Sequence, residues 1–397
     1  MFPTLGLVLF VAAALGLVAL TAQFAAVRRH VAGTAPRPSG HPGISVLKPL
    51  CGIDDDLAAN LETFARLPYP EYEVLLGLEH AGDGAAPVAR EFARRYPGRF
   101  RVILQRGAPG LNPKVNQLLT LAAAARHGVL VISDSNVQVA SNYLHEIAAH
   151  LEDPRCGLVT HPIVGQGGRS LGSRMDNVQL GCGVASGMIG AQRLGGRDVV
   201  VGKSMAFRRV DIEALGGFAA VKDVLAEDYL LGVMVGRRLG KRVAVARTPI
   251  VNVSRDQAVA AFLGRFRRWS VIQRRAVGRP LYAAQLLLHP SVLALFACAA
   301  APRVAAALAA AAVLGTKAAL DASSVRALSG RYPGWRNAPA LLLKDFVLWW
   351  AWAFGLVRSE VTWRGKRLRV LDGTRLVPVA APRPAPELEA PLEAPAA

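Results

Sequence analysis

From Phe2 to Val27 the chain carries no charged residue, and the run stops at Arg28-Arg29-His30. Roughly 25 apolar residues at 1.5 Å rise per residue are enough to cross the ~30 Å hydrocarbon core of a bilayer, so residues 1–27 are expected to form a transmembrane anchor. A cleaved signal peptide is the rival reading and fits worse. The start lacks Lys or Arg, and the apolar core exceeds the about 7–15 residues usual for such peptides. Arg28 and Arg29 place the chain beyond the anchor on the cytoplasmic side by the positive-inside rule.

Apolar character resumes near the other end. Leu281 to Ala301, Val304 to Ala322 and Ala338 to Val357 are each apolar, although the second holds Lys317 and Asp321 and the third Lys344-Asp345. The expected division is an anchor (1–27), a Pro- and Gly-rich linker (28–43), a cytosolic domain (44–278), membrane segments (279–357) and a basic, then disordered, tail (358–397). Three straight crossings after a cytosolic domain would put the basic run Trp363-Arg-Gly-Lys-Arg-Leu-Arg369 outside, against the charge rule. One segment should therefore not span. Ala338 to Val357 is the expected exception, because Lys344-Asp345 and Trp349-Trp350 suit an interfacial or re-entrant helix.

Bulk properties agree with a membrane-associated chain. Hydrophobic residues make up 52% of the 397, and the mean hydropathy is +0.29, both high for a wholly soluble chain. The four cysteines have no Cys-x-x-Cys spacing, which argues against a zinc site or a disulfide framework. A net charge of +19 suits nucleic acid or an anionic membrane surface. No nucleic-acid-binding signature is present, whereas Arg265, Arg267, Arg268, Arg274, Arg275 and Arg279 crowd the approach to an apolar region.

Between the apolar ends, strand-like runs alternate with helical ones: Ile44 to Leu47, Leu57 to Leu67, Tyr72 to Leu78, Pro87 to Tyr96, Phe100 to Gln105, Lys114 to Arg126 and Val129 to Ser133. This alternation predicts βαβ units and an open α/β sheet. Ligands in such sheets sit beyond the carboxyl ends of strands, and Asp83 and Asp134 both come after strand-like runs. Asp134 is placed to hold a divalent metal on a diphosphate, with Asn136 as a weaker neutral ligand; capping of the next turn is the structural alternative. Asp83 has the weaker local signal.

Glu227-Asp228 opens a helical segment, so one carboxylate can serve as a general base while the other favours the helix N-terminus. Arg265-x-x-Arg268-Trp269 offers guanidinium groups for a diphosphate and an indole to shape a site, although basic residues at a membrane surface would look similar. Lys48 at a strand end, and Lys114 and Asn116 in Asn112-Pro-Lys-Val-Asn116, are candidates to face phosphate or nucleotide. Either lysine also reads as simply exposed.

The segments Ser45-Val-Leu-Lys-Pro-Leu-Cys-Gly-Ile-Asp54, Asn60-Leu-Glu-Thr-Phe64, Tyr72-Glu-Val-Leu-Leu76, Asn112-Pro-Lys-Val-Asn116, Asp134-Ser135, Ala226-Glu-Asp-Tyr229 and Arg265-x-x-Arg-Trp269 resemble the ceramide glucosyltransferase family and its bacterial relatives of hopanoid biosynthesis. That resemblance implies a GT-A fold, a Rossmann-like mixed sheet, and inverting transfer from a UDP-sugar to a lipid hydroxyl with Mg2+ or Mn2+. It makes Asp228 the base, gives Asp83 and Asp134 to the donor, and matches Arg265, Arg268 and Trp269 to the basic-aromatic motif. Around Gly181-Cys-Gly183 the histidine of eukaryotic members is missing, and the loop before Asp83 is less acidic. N-acetylglucosamine transfer to a hydroxylated hopanoid is therefore the expected reaction, with ceramide glucosylation as the alternative and a processive polysaccharide synthase behind both. The expected location is a bacterial inner membrane.

Overall fold

The computed structural model describes residues 2–363 and 366–379; the tail segment expected to be disordered, 380–397, lies outside them. Ten strands build the globular part: β1 (Ile44–Pro49), β2 (Tyr72–Leu78), β3 (Phe100–Leu104), β4 (Val129–Ser133), β5 (Val137–Gln138), β6 (Cys156–Thr160), β7 (Ile163–Gln166), β8 (Ser204–Arg208), β9 (Arg242–Val245) and β10 (Ile250–Val253). Seven form one sheet in the order β3-β2-β1-β4-β8-β6-β9, and β5, β10 and β7 form a smaller one. The run β1 to β4 is parallel and connected by helices, as the alternating sequence pattern predicts. β2 and β4 are buried on both faces, which is why they read as unbroken apolar stretches rather than alternating ones.

β8 departs from the parallel pattern. It pairs antiparallel with both β4 and β6, and its register sets Ser204 opposite Ser133. The residue before β8, Lys203, thus comes to lie beside the residue after β4, Asp134, and its carbonyl accepts the Asp134 N–H at 3.3 Å. This antiparallel entry makes the sheet mixed, in GT-A style.

Phe2–Val31 is a single helix whose far end is fixed to the globular part: the His30 ring nitrogen lies 3.0 Å from the Ala246 carbonyl, and Arg247 bonds to the His30 carbonyl. Among the described residues, three helical stretches are long and apolar enough to cross a membrane, Thr4–Val31, Val304–Ser329 and Trp335–Val357, and a fourth, Arg279–Leu288 with Pro290–Ala300, is bent by 75°. Pro290 removes a helical donor and restricts His289, which accounts for the bend. Pro290–Ala300 then runs antiparallel to the N-terminal helix: Gly16 approaches Leu287 and Pro290, while Gly6 approaches Ala297 and Ala301. Val304–Ser329 returns, and Val325 meets Gly181 of the globular part.

Helix Ala338–Val357 behaves differently, although its length and composition alone would let it span. Both of its ends are tied to the globular part. Arg174 Nη1 donates to the Arg336 carbonyl at 3.1 Å just before its start, and Arg274 Nη2 donates to the Arg358 carbonyl at 2.6 Å just after its end. Between them it lies along helix Val259–Val277, with Phe262, Phe266, Ala340 and Ala351 in one apolar cluster. These ties hold both ends of the helix against the globular part. Its outward face carries exposed Leu342, Leu343 and Trp350, giving the globular part an apolar underside.

Lys344 and Asp345 are on the inward face. Lys344 pairs with Asp321 and Asp345 at 2.6 Å each, Lys317 pairs with Asp321 at 2.5 Å, and Ser291 donates to Asp345 at 2.8 Å. Two cations and two anions, all buried, neutralise one another, so three helices can bury them together.

The basic tail contributes three strands among the described residues. β11 (Glu360–Trp363), β12 (Lys366–Val370) and β13 (Leu376–Pro378) form an antiparallel sheet. It clips to Asp223–Leu225 through Leu376 N–H to the Asp223 carbonyl at 2.8 Å and Leu225 N–H to the Thr374 carbonyl at 2.9 Å. The tail sheet is therefore fastened to the globular part.

Both tethers lead to a topological prediction. In a cysteine-free variant in sealed vesicles, single cysteines at Arg331→Cys and Arg367→Cys should label from the same side with an impermeant thiol reagent. Labelling from opposite sides would make Trp335–Val357 a true crossing.

Candidate active site

Asn112 caps the helix Pro113–Ala124: its side-chain oxygen accepts the Lys114 and Val115 N–H groups, and Pro113 fills the first-turn position that needs no donor. This start aims Lys114 inward, with Nζ 3.0 Å from Asp134 Oδ1, 3.2 Å from Glu227 Oε1 and 3.0 Å from the Gly202 carbonyl. Asn112 also donates to Glu227 at 3.1 Å. Lys203 reaches the other Asp134 oxygen at 3.3 Å and Asn136 Oδ1 at 2.7 Å. Gly202 N–H donates to Asp228 Oδ2 at 2.8 Å. Asp134, Lys114, Lys203, Glu227 and Asp228 thus form one connected network beyond the ends of β4 and β8.

The electrostatics arise from burial and pairing. Burial alone would push the Asp134 carboxyl up, but Lys114 and Lys203 overcome it and hold the group well below the usual carboxylate range. Asp228 goes the other way. Burial, then the adjacent Glu227 charge, raises it to about 6 against the partial relief from Lys114, leaving a carboxylate poised to exchange a proton near neutrality. Its two oxygens accept the Gly202 and Tyr229 N–H groups, which fixes its orientation. A Cβ on Gly202 would fall 2.7 Å from Asp228 Oδ2, so any other residue there would displace the carboxylate.

A cleft of about 290 Å3 lies beside this network, and Asp54, Asn136, Gln257 and Arg265 are among its lining residues. Arg265 is not free to act as a mobile cation: its Nη1 contacts both oxygens of buried Asp176 at 2.7 Å. Arg268, one turn on, has no ion pair among the described residues. Burial and the Arg265 charge lower its pKa, the condition of a cation that would gain from an anion beside it. Trp269 packs edge-on against Phe266 at 5.1 Å.

Three further residues expected at the donor are engaged in contacts within the chain. Lys48 is fully buried, its Nζ 3.8 Å from the centre of the Phe64 ring and bonded to Ser133 Oγ and the Asp134 carbonyl at 3.1 and 2.8 Å. Desolvation lowers it to about 7, and it holds the end of β4 from within rather than facing phosphate. Asn116 bonds both the N–H and the carbonyl of Gly110 at 2.9 Å, bracing the preceding loop. Asp83 accepts the Gly52 and Ala85 N–H groups at 2.9 and 2.8 Å and so shapes the loop that carries Asp54.

Lys203 and Gly202 were not among the residues singled out from sequence. They have no motif, and only the β4–β8 register brings them to Asp134. Asp176 was missed for a similar reason: its partner is 89 residues away.

The two motif arginines should separate in a stability assay. Arg265→Ala leaves Asp176 buried without its partner and should cost about 3–5 kcal/mol, read as a fall in melting temperature. Arg268→Ala should leave melting unchanged. Equal melting of both variants would refute the structural role of Arg265.

The profile of Glycosyl transferase family 21 matches residues 8–376. Among curated relatives, ceramide glucosyltransferase 1 of Caenorhabditis elegans is 29% identical over 232 residues, covering 57% of this chain and 49% of that protein. The ceramide glucosyltransferase of Komagataella phaffii is 33% identical over 116 residues, covering 28% and 23%. The chain spans about half the length, or less, of these relatives that it matches. Among solved structures, a mannosyltransferase from Pyrobaculum calidifontis in complex with GDP-Man and Mn2+ superposes with a TM-score of 0.56 at 20% identity, covering 90% of this chain and 99% of that one, a likeness of fold. With a family match running from the N-terminal helix to the C-terminal sheet, the chain belongs to glycosyl transferase family 21 and is a glycosyltransferase of GT-A fold.

Proposed function

We propose that the protein transfers glucose from UDP-glucose to ceramide or a ceramide-like lipid alcohol at the membrane surface, with inversion. The observation that carries this is the Asp228 carboxylate, raised toward neutrality and fixed by Gly202 N–H, in one network with the ion-paired Asp134 beside an open cleft. The ceramide reading takes precedence over N-acetylglucosamine transfer to a hopanoid because the curated relatives are ceramide glucosyltransferases. The membrane is bacterial inner membrane in this reading, with the catalytic part facing the cytosol after Arg28-Arg29.

The acceptor is an alcohol, which becomes an effective nucleophile as its proton leaves. Asp228 takes that proton. Lys114, Lys203 and Arg268 supply positive charge for the diphosphate that departs, and Lys114 returns to Asp134 and Glu227 when the site empties. Arg265 holds the wall of the cleft through Asp176.

A divalent cation fits this site in a limited way. No three His, Cys, Asp or Glu side chains gather into a metal-binding group among the described residues. Asp134 and Asn136 offer one charged and one neutral oxygen donor, which would suit Mg2+ or Mn2+. Such an ion would neutralise diphosphate charge, and Asp134 would hold it once released from Lys114 and Lys203.

Purified enzyme offered UDP-glucose or UDP-N-acetylglucosamine with ceramide or a hydroxylated hopanoid should yield glucosylceramide by mass spectrometry. Sole formation of an N-acetylglucosaminyl hopanoid would overturn the proposal. For the wild type, kcat/KM should rise with pH through about 6 and level off, because only ionised Asp228 accepts a proton. Asp228→Asn should lose about 10²–10⁴-fold in turnover while still binding UDP.

The metal assignment has its own measurement. Wild-type affinity for UDP should increase on adding Mg2+ or Mn2+, and Asp134→Ala should lose that increment. An unchanged increment would remove Asp134 from the metal site.

A further inference from the structure

A second and larger cleft, about 430 Å3, opens where the chain enters helix Ala338–Val357, and Arg169, Arg174, Trp335, Arg336 and Asn337 line it. It shares no lining residue with the cleft beside Asp134. Three guanidinium groups meet here, and among the described residues no carboxylate lines the wall. Arg169 pairs with Asp256. Arg174 spends its donors on the Gly168 and Arg336 carbonyls, at 3.4 and 3.1 Å, which position it without neutralising it. Arg336 stacks over the Trp335 ring at 5.4 Å and has no ion pair among the described residues. Two of the three cations therefore lack an anion among those residues.

The surroundings identify the kind of anion. Trp335 is 82% exposed and Tyr332 55% exposed, a costly arrangement in water but the usual one at the level of lipid headgroups, where an amphipathic ring has both phases within reach. The next turns of the same helix expose Leu342 and Leu343, so an apolar surface leads away from the guanidinium cluster. Because this helix lies against the globular part with both ends tethered, the cluster and the apolar face occupy one interfacial plane. Phosphate at the arginines with acyl chains along the leucines satisfies both halves.

We propose that this cleft binds the phosphate of an anionic membrane phospholipid, a site apart from donor and acceptor. It is independent of which sugar or lipid alcohol is used. Arg169, paired with Asp256 of the neighbouring cleft, joins the two sites through one ion pair.

Native mass spectrometry of the full-length protein in detergent tests this with phosphatidylglycerol, phosphatidylcholine and glycerol 3-phosphate as probes. Phosphatidylglycerol should be retained in preference to phosphatidylcholine. Arg174→Gln and Arg336→Gln should each weaken retention about fivefold, while Arg336→Lys keeps most of it. Arg336 and Trp335 are exposed, so Arg336→Gln and Trp335→Ala should melt like wild type, and Trp335→Ala should also weaken retention. Equal retention by wild type and the double glutamine variant would overturn the proposal, as would equal retention of the two lipids. Displacement of the lipid by equimolar glycerol 3-phosphate would assign the cleft to a soluble anion instead and overturn it too.

Discussion

The pairing of Asp134 with two lysines holds the catalytic end of this molecule together. Each lysine arrives by a different route: Lys114 from a capped helix start and Lys203 from a strand that enters the sheet antiparallel. Their charges let a carboxylate stay ionised where burial would otherwise protonate it. The same lysine that stabilises Asp134 also contacts Glu227, and Glu227 in turn raises Asp228. Opposite shifts in neighbouring carboxylates are the physical basis for giving them different tasks.

A second charged group, Lys317, Asp321, Lys344 and Asp345, does for the membrane helices what the lysine pair does for the site. Isolated, each charge would make its helix a poor membrane element; paired, they specify which helix faces meet. The result is a short hairpin beside the N-terminal helix and a third helix laid along the globular part. Apolar composition alone does not distinguish Val304–Ser329 from Trp335–Val357, since both are long and apolar enough to cross a membrane. What separates them is where their ends are bonded.

Much of the frame was legible in the sequence. β1 to β4 and their helices could be placed from apolar periodicity, and Asn112-Pro113 announced a helix start, because these signals are local. Asp134 and Asp228 were singled out in the sequence from their positions at element ends, and the fold brings both into one hydrogen-bonded network. Lys203, Gly202 and Asp176 were not, since their roles depend on strand register and on contacts between distant segments. Lys48 and Asn116 read in the sequence as candidates to face phosphate or nucleotide; in the fold Lys48 bonds to Ser133 and the Asp134 carbonyl, and Asn116 to the Gly110 backbone, contacts that only the tertiary structure reveals.

The C-terminal sheet carries a consequence for how the enzyme matures. Thr374 and Leu376 hold Asp223–Leu225, the segment that leads directly into Glu227-Asp228. Those holding residues are among the last of the described chain to leave the ribosome, after Ala338–Val357 has already been made. The segment leading into Glu227-Asp228 is therefore clasped only once residues 374–376 have been made, and a chain stopped before them would own these carboxylates without the clasp that sets them.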